Sequence, residues 1–142
     1  MTRSEIETLL ERHRAAFASR DPDRIAANHA ELGTFESPAA GLATGRARIT
    51  EVYEYWLSAF PDMEFTWETP LIDANRVSFI WRFRGTLAAA GKFFGEAKPG
   101  TRVEFLGAAE YAISPAGIES ARHVFDFTGA LVNAGALKVK PS

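Results

Sequence analysis

The hydrophobic period of this chain changes once, at Pro61-Asp62, and that change limits the folds open to it. Before it, apolar residues recur at helical spacing. Ile6, Leu9, Leu10, His13 and Phe17 share one face of a helix predicted from about Ser4 to Ser19. Ser4-Glu5-Ile6-Glu7 reads as its capping box. Asp21-Pro22 starts a second, short helix that runs to near His29. Thr34-Phe35-Glu36-Ser37-Pro38 reads as a short strand stopped by proline, and Ala39 to Gly45 as a loop of small residues. Thr44 is placed to cap a third helix with the stripe Ile49, Val52, Tyr53, Trp56, Leu57 and Phe60. After Pro61-Asp62 the period is that of strands. Phe65, Trp67 and Thr69 alternate with polar residues, and Val77, Phe79, Trp81 and Phe83 alternate with Ser78, Ile80, Arg82 and Arg84. A strand runs from Val103 to about Ile113, a last one from Gly117 to Asp126, and Thr128 to Leu137 suits a terminal helix. Helices ahead of a run of about four long strands imply an α+β domain, with the helices across one face of a curved antiparallel sheet. A sheet curled over a helix encloses a cone-shaped cavity.

The 142 residues suit a single domain, 1–142. Eleven Phe, three Trp and three Tyr fit a core with a lined cavity better than a polar interaction module. The net charge is −2 and Lys and Arg are scattered, so a nucleic-acid partner is not expected. Without cysteine there is neither a disulfide framework nor thiolate chemistry. His13, His29 and His123 lack ligand-like spacing, so no metal is expected. The charged start Met1-Thr2-Arg3-Ser4-Glu5 is not a signal core, and no apolar run approaches the roughly 18 residues of a membrane span. A cytoplasmic protein without a membrane partner is the expectation. No Gly-rich phosphate loop stands between a strand and a helix.

Four stretches carry a resemblance. They are Phe35-Glu36-Ser37-Pro38 with Gly41 and Gly45-Arg46; Trp56-Leu57-Ser58-Ala59-Phe60-Pro61-Asp62; Phe94-Gly95 through Pro99-Gly100-Thr101-Arg102-Val103-Glu104-Phe105; and Gly117-Ile118 with Asp126 and Leu131. In order and spacing the chain resembles the SnoaL-like polyketide cyclase group of the nuclear transport factor 2-like superfamily. The resemblance implies a cone-shaped α+β fold, a homodimer through the sheet, and aldol-type ring closure with no cofactor. It also implies an acidic general acid/base at the end of the last long strand, here Asp126. Three family features differ. Leu87 follows Gly85-Thr86 where the cyclases tend to carry His. Ser37 precedes the proline where steroid isomerases carry an Asp base, and Arg82-Phe83-Arg84 replaces the Arg-x-Asp of epoxide hydrolases.

Asp126 is the first candidate for proton transfer, since a carboxylate in an apolar cavity can have a raised pKa. It is equally placed to cap the helix that follows. Strand parity sets His123 on the opposite face from Asp126, which favours a structural or interface role for His123, while it stays a catalytic candidate beside Asp126 and His13, to orient the acid or stabilise an oxyanion. His13, on the apolar stripe of the first helix, is the preferred partner, able to donate to a carbonyl or enolate oxygen. Phe17, Tyr53, Trp56, Phe60, Trp81 and Phe105 are candidates to line the substrate cavity. Arg82 either enters the cavity or, the favoured reading, stands on the outer sheet face; Glu110 has the same choice and could pair with Arg82 or Arg122 across strands. The expected function is an isomerase or cyclase acting on a hydrophobic, carbonyl-bearing or polycyclic small molecule. The alternative is a non-catalytic small-molecule-binding or dimerisation module. Asp126 and at least one histidine within hydrogen-bond reach on an enclosed cavity would favour the enzyme; Asp126 capping the last helix and pointing to solvent would mean dropping the enzyme reading.

Overall fold

The structure is a computed structural model and describes residues 1–88 and 97–138. Phe94-Gly95, one of the stretches quoted above, lies outside the described residues. The chain runs α1 (Arg3–Ser19), α2 (Pro22–Ala26), β1 (His29–Ser37), β2 (Gly41–Thr44), α3 (Arg46–Ala59), β3 (Glu64–Trp67), β4 (Leu71–Asp73), β5 (Arg76–Thr86), β6 (Arg102–Ser114), β7 (Gly117–Phe125) and α4 (Phe127–Asn133).

The helix starts are local chemistry. Thr2, not Ser4, caps α1: its hydroxyl accepts from the Glu5 amide at 3.1 Å and the Glu5 carboxylate accepts from the Thr2 amide at 2.8 Å. Ser4 lies inside the helix, so the expected box is two residues out of frame. Asp21 caps α2 as expected, accepting from the Asp23 and Arg24 amides. The second helix stops at Ala26, and His29 opens β1 instead of closing a helix. Gly45, at φ 89°, is the N-cap of α3, and Thr44 ends β2. The loop of small residues is therefore the second arm of a hairpin, with Phe35 opposite Ala43.

Seven strands form one curved, unclosed sheet in the order β2-β1-β7-β6-β5-β3, with β4 also on β5. All pairs are antiparallel except β1 with β7, which is parallel. Registered rows fix what faces inward: Val77–Tyr111–Ala121–Phe35, Phe79–Ala109–His123, Trp81–Gly107–Phe125 and Phe83–Phe105. The helices cover this face, and Phe17 of α1 meets Tyr53 of α3 edge-on at 5.6 Å. Gly107 is there for space: a Cβ would stand 2.4 Å from Cζ2 of Trp81. Trp81 can thus lie flat across the middle strand.

The outer face is polar with an apolar middle. Ile80, Leu106 and Val124 are exposed there. Arg82 stands on this face, opposite Leu106. Glu110 pairs with Arg76, and Arg122 with Glu36 at 3.6 Å, so the expected Glu110–Arg82 or Glu110–Arg122 pairing is replaced by these two.

Candidate functional site

A cavity of about 60 Å³ lies between the inner sheet face and the helices. Its wall is aromatic. Phe17 comes from α1, Tyr53 and Trp56 from α3, Trp81 and Phe83 from β5, and Phe105 and Phe125 from β6 and β7. Phe35 and Phe65 close the sides. Hydroxyl, phenol and imidazole groups interrupt this wall at Ser37, Tyr53 and His123, and Met63 adds a thioether. The space is enough for about two waters.

The alternation of β7 delivers His123, since Ala121 and His123 point inward while Arg122 and Val124 point out. Its ring lies 5.1 Å from Phe35, 5.9 Å from Trp81 and 5.8 Å from Tyr111. Burial pulls its pKa down to about 4, so the imidazole is neutral at pH 7. Its Nε2 is buried without a hydrogen-bond partner among the described residues.

Tyr53 is held by a histidine that sequence reasoning missed. Nε2 of His29 lies 2.7 Å from the Tyr53 hydroxyl. Burial, then the neighbouring Tyr111, raises the phenol well above its ordinary pKa and keeps it protonated. His29 is lowered to about 3, by burial first, then by His123 and Arg46. Behind them stands His13, whose ring centre is 5.4 Å from that of His29. The Asn28 amide donates to Nδ1 of His13 at 3.2 Å, which leaves the His13 proton on Nε2. Asn28 in turn accepts from Nε of Arg12 at 2.8 Å. The pKa of His13 is well below the ordinary value, through burial, then His29, His123 and Arg12. Three histidines spread from position 13 to 123 thus share one interior. No group of three or more His, Cys, Asp or Glu among the described residues is arranged to hold a metal ion.

This helix-on-curved-sheet frame with an aromatic interior has known relatives. The sequence matches the SnoaL-like domain family over residues 10–118. The chain belongs to that family. AclR from Streptomyces galilaeus is similar in structure, with a TM-score of 0.80 at 20% identity over 99% of this chain and 91% of that one. A candidate SnoaL-like polyketide cyclase from Jannaschia sp. CCS1 gives 0.78 at 14% identity, covering 94% and 92%. A protein of ketosteroid isomerase-like fold from Catenulispora acidiphila, in complex with trimethylamine, gives 0.74 at 17%, covering 89% and 92%. At such identities the likeness speaks for the fold. No match is found among curated proteins.

Within this SnoaL-like frame the sequence candidates separate. Asp126 follows β7 and is the N-cap of α4: its Oδ1 accepts from the Gly129 amide at 2.8 Å, and the residue is exposed. It is not on the cavity wall. The reason is parity: Phe125 is the last inward residue, and the chain turns into α4 directly after it. His123 faces the cavity, where sequence reasoning had favoured a structural or interface place. His13 is fully buried one layer back, 4.9 Å from the ring of Phe17. Phe17, Tyr53, Trp56, Trp81 and Phe105 stand on the wall. Phe60 does not; it is fully buried behind it, 5.0 Å from Phe83. Ser37, where isomerases carry their Asp, reaches the wall, and its hydroxyl accepts from the Ala40 amide at 3.0 Å.

Proposed function

We propose that this SnoaL-like domain is an acid–base enzyme acting on a hydrophobic, carbonyl-bearing small molecule, with Tyr53 and His123 in place of the expected Asp126. One observation carries the reading: a protonated phenol and a neutral imidazole with an unpaired nitrogen interrupt the same aromatic wall. In the tautomer with its proton on Nε2, His29 donates to the Tyr53 oxygen and frees the phenol O–H for a ligand oxygen. Tyr53 then polarises the carbonyl, and His123 takes a proton from the adjacent carbon. The enolate carries the negative charge on the oxygen held by Tyr53. Returning the proton at another carbon isomerises the substrate, and attack of the enolate carbon on a second carbonyl closes a ring. A free imidazole of pKa about 4 is a weak base. The developing enolate compensates by stabilising the imidazolium inside an apolar-walled cavity of low dielectric. Asp126 caps α4 in solvent, so the enzyme reading that rested on it is dropped; the one proposed here rests on Tyr53 and His123 alone, with His13 and His29 as positioning residues.

A thermal-shift screen of polyketide, steroid and terpenoid ligands identifies the substrate class. With a substrate in hand, Tyr53→Phe and His123→Gln lower kcat by about 10²–10⁴-fold, and Asp126→Asn leaves it unchanged. Full turnover in His123→Gln would remove the proposed base.

The second reading, a non-catalytic binding module, is favoured by the absence of any carboxylate from the cavity wall among the described residues. It predicts ligand stabilisation without turnover. For either reading we propose a cytoplasmic homodimer, joined through the exposed Ile80, Leu106 and Val124 of the outer sheet face.

A further inference from the structure

We propose that the cavity selects a neutral ligand by charge: it takes the polar end of one small ring, whose hydroxyl or carbonyl oxygen meets His123, and it rejects anions and cations of the same shape. The site is the cavity of the proposed enzyme, but the selection does not depend on catalysis.

Three observations converge. First, among the described residues no Asp, Glu, Lys or Arg contributes to the wall. The titratable groups that do, Tyr53 and His123, are both uncharged at pH 7. An incoming carboxylate would lose its water and find only neutral donors, which costs several kcal/mol for a buried ion. It would also face the negative faces of many rings.

Second, an aromatic wall alone would welcome a quaternary ammonium. Here the surroundings oppose it. Arg12 and Arg46 act on the histidines behind the wall, and Arg14 lies over the Trp67 ring at 5.4 Å. Protonating His123 would add a further cation instead of a counter-charge.

Third, His123 stands on the cavity wall, and its buried Nε2 lacks a partner among the described residues. A ligand oxygen satisfies it, and an unpaired polar atom left behind costs about 1–3 kcal/mol. This atom discriminates a phenol from a toluene. Size sets the rest. The space of about 60 Å³ is several times smaller than a drug-sized ligand pocket. It takes the polar end of one ring, and a larger ligand must extend out of it.

The test uses wild-type protein and isothermal titration at pH 7 with p-cresol, 4-methylcyclohexanone, toluene, 4-methylbenzoate and benzyltrimethylammonium. The expected result is binding of the first two, at least about tenfold tighter than toluene, the carboxylate or the ammonium. 4-Methylbenzoate should recover affinity as pH falls through its own pKa and the neutral acid forms. In His123→Leu the preference of cresol over toluene should vanish while toluene still binds, which shows the variant is folded. Equal or tighter binding of either ion, or no binding of any neutral probe at millimolar concentration, overturns the assignment. Selective binding of neutral probes with no turnover of any ketone would count against the enzyme reading alone.

Discussion

Lowering the pH from 7 to 5.5 should cost this fold about 4 kcal/mol, and the three buried histidines are the reason. Each is neutral when folded: His29 at about 3, His123 at about 4 and His13 well below the ordinary value. In the unfolded chain each titrates near 6.5. A group whose folded pKa is depressed contributes stability above its unfolded pKa and loses it as pH falls toward the folded pKa. The window is therefore from about pH 6.5 down to about pH 4. Between pH 7 and 5.5 each unfolded imidazole gains most of a proton, worth about 1.2 kcal/mol, and three give about 4 kcal/mol. Among the described residues no carboxylate acts on these rings to offset the loss. Asp62 does not interfere. Its pKa is lowered from 3.8 by the Thr86 amide, so its contribution disappears only at lower pH. The assay is urea unfolding followed by tryptophan fluorescence across this range. With a slope of about 2 kcal/mol per molar, the midpoint should fall by about 2 M. His123→Gln should remove about a third of the dependence. A stability that stays flat between pH 7 and 5.5 would refute the neutral, buried state of the histidines.

Other outcomes follow from single contacts. Gly107→Ala puts a methyl 2.4 Å from Trp81 Cζ2 and 2.6 Å from the Val124 carbonyl oxygen. Thermal unfolding should show a loss of about 1–3 kcal/mol, with a shifted tryptophan emission as Trp81 moves into the cavity. Asp126→Ala removes the cap of α4 and should cost about 1 kcal/mol in chemical unfolding, without change in ligand binding. Leu106→Glu puts a charge in the middle of the exposed apolar patch, opposite Arg82, which the monomer tolerates. Sedimentation velocity should report a monomer in place of the proposed dimer.

The fold was legible where one interaction dominates the pattern. Strict alternation in β5 and β7 gave the sheet, and parity gave the split between Asp126 and His123. It did not say which side was inside, because β6 and β7 carry apolar residues on both faces. Asp126 misled for a definable reason: an Asp at the end of a strand and an Asp before a helix are the same letters, and the cap won. His29 was missed because the alanine-rich segment around it reads as helix, while pairing with β7 draws it into β1. β2 escaped notice because its small residues pair with β1 through their backbone and carry little hydrophobic pattern. Phe60 falls on the same helical stripe as Trp56, and spacing alone does not tell a wall residue from one packed behind it.

The central claim is that proton transfer belongs to the cavity groups Tyr53 and His123. Deuterium exchange at the carbon next to the carbonyl of 4-methylcyclohexanone, followed by proton NMR in heavy water, tests it most directly. The account predicts exchange catalysed by the wild type and by Asp126→Ala, and lowered by at least about 10²-fold in Tyr53→Phe and His123→Gln. Exchange that survives both cavity substitutions, or that disappears with Asp126→Ala, would contradict it.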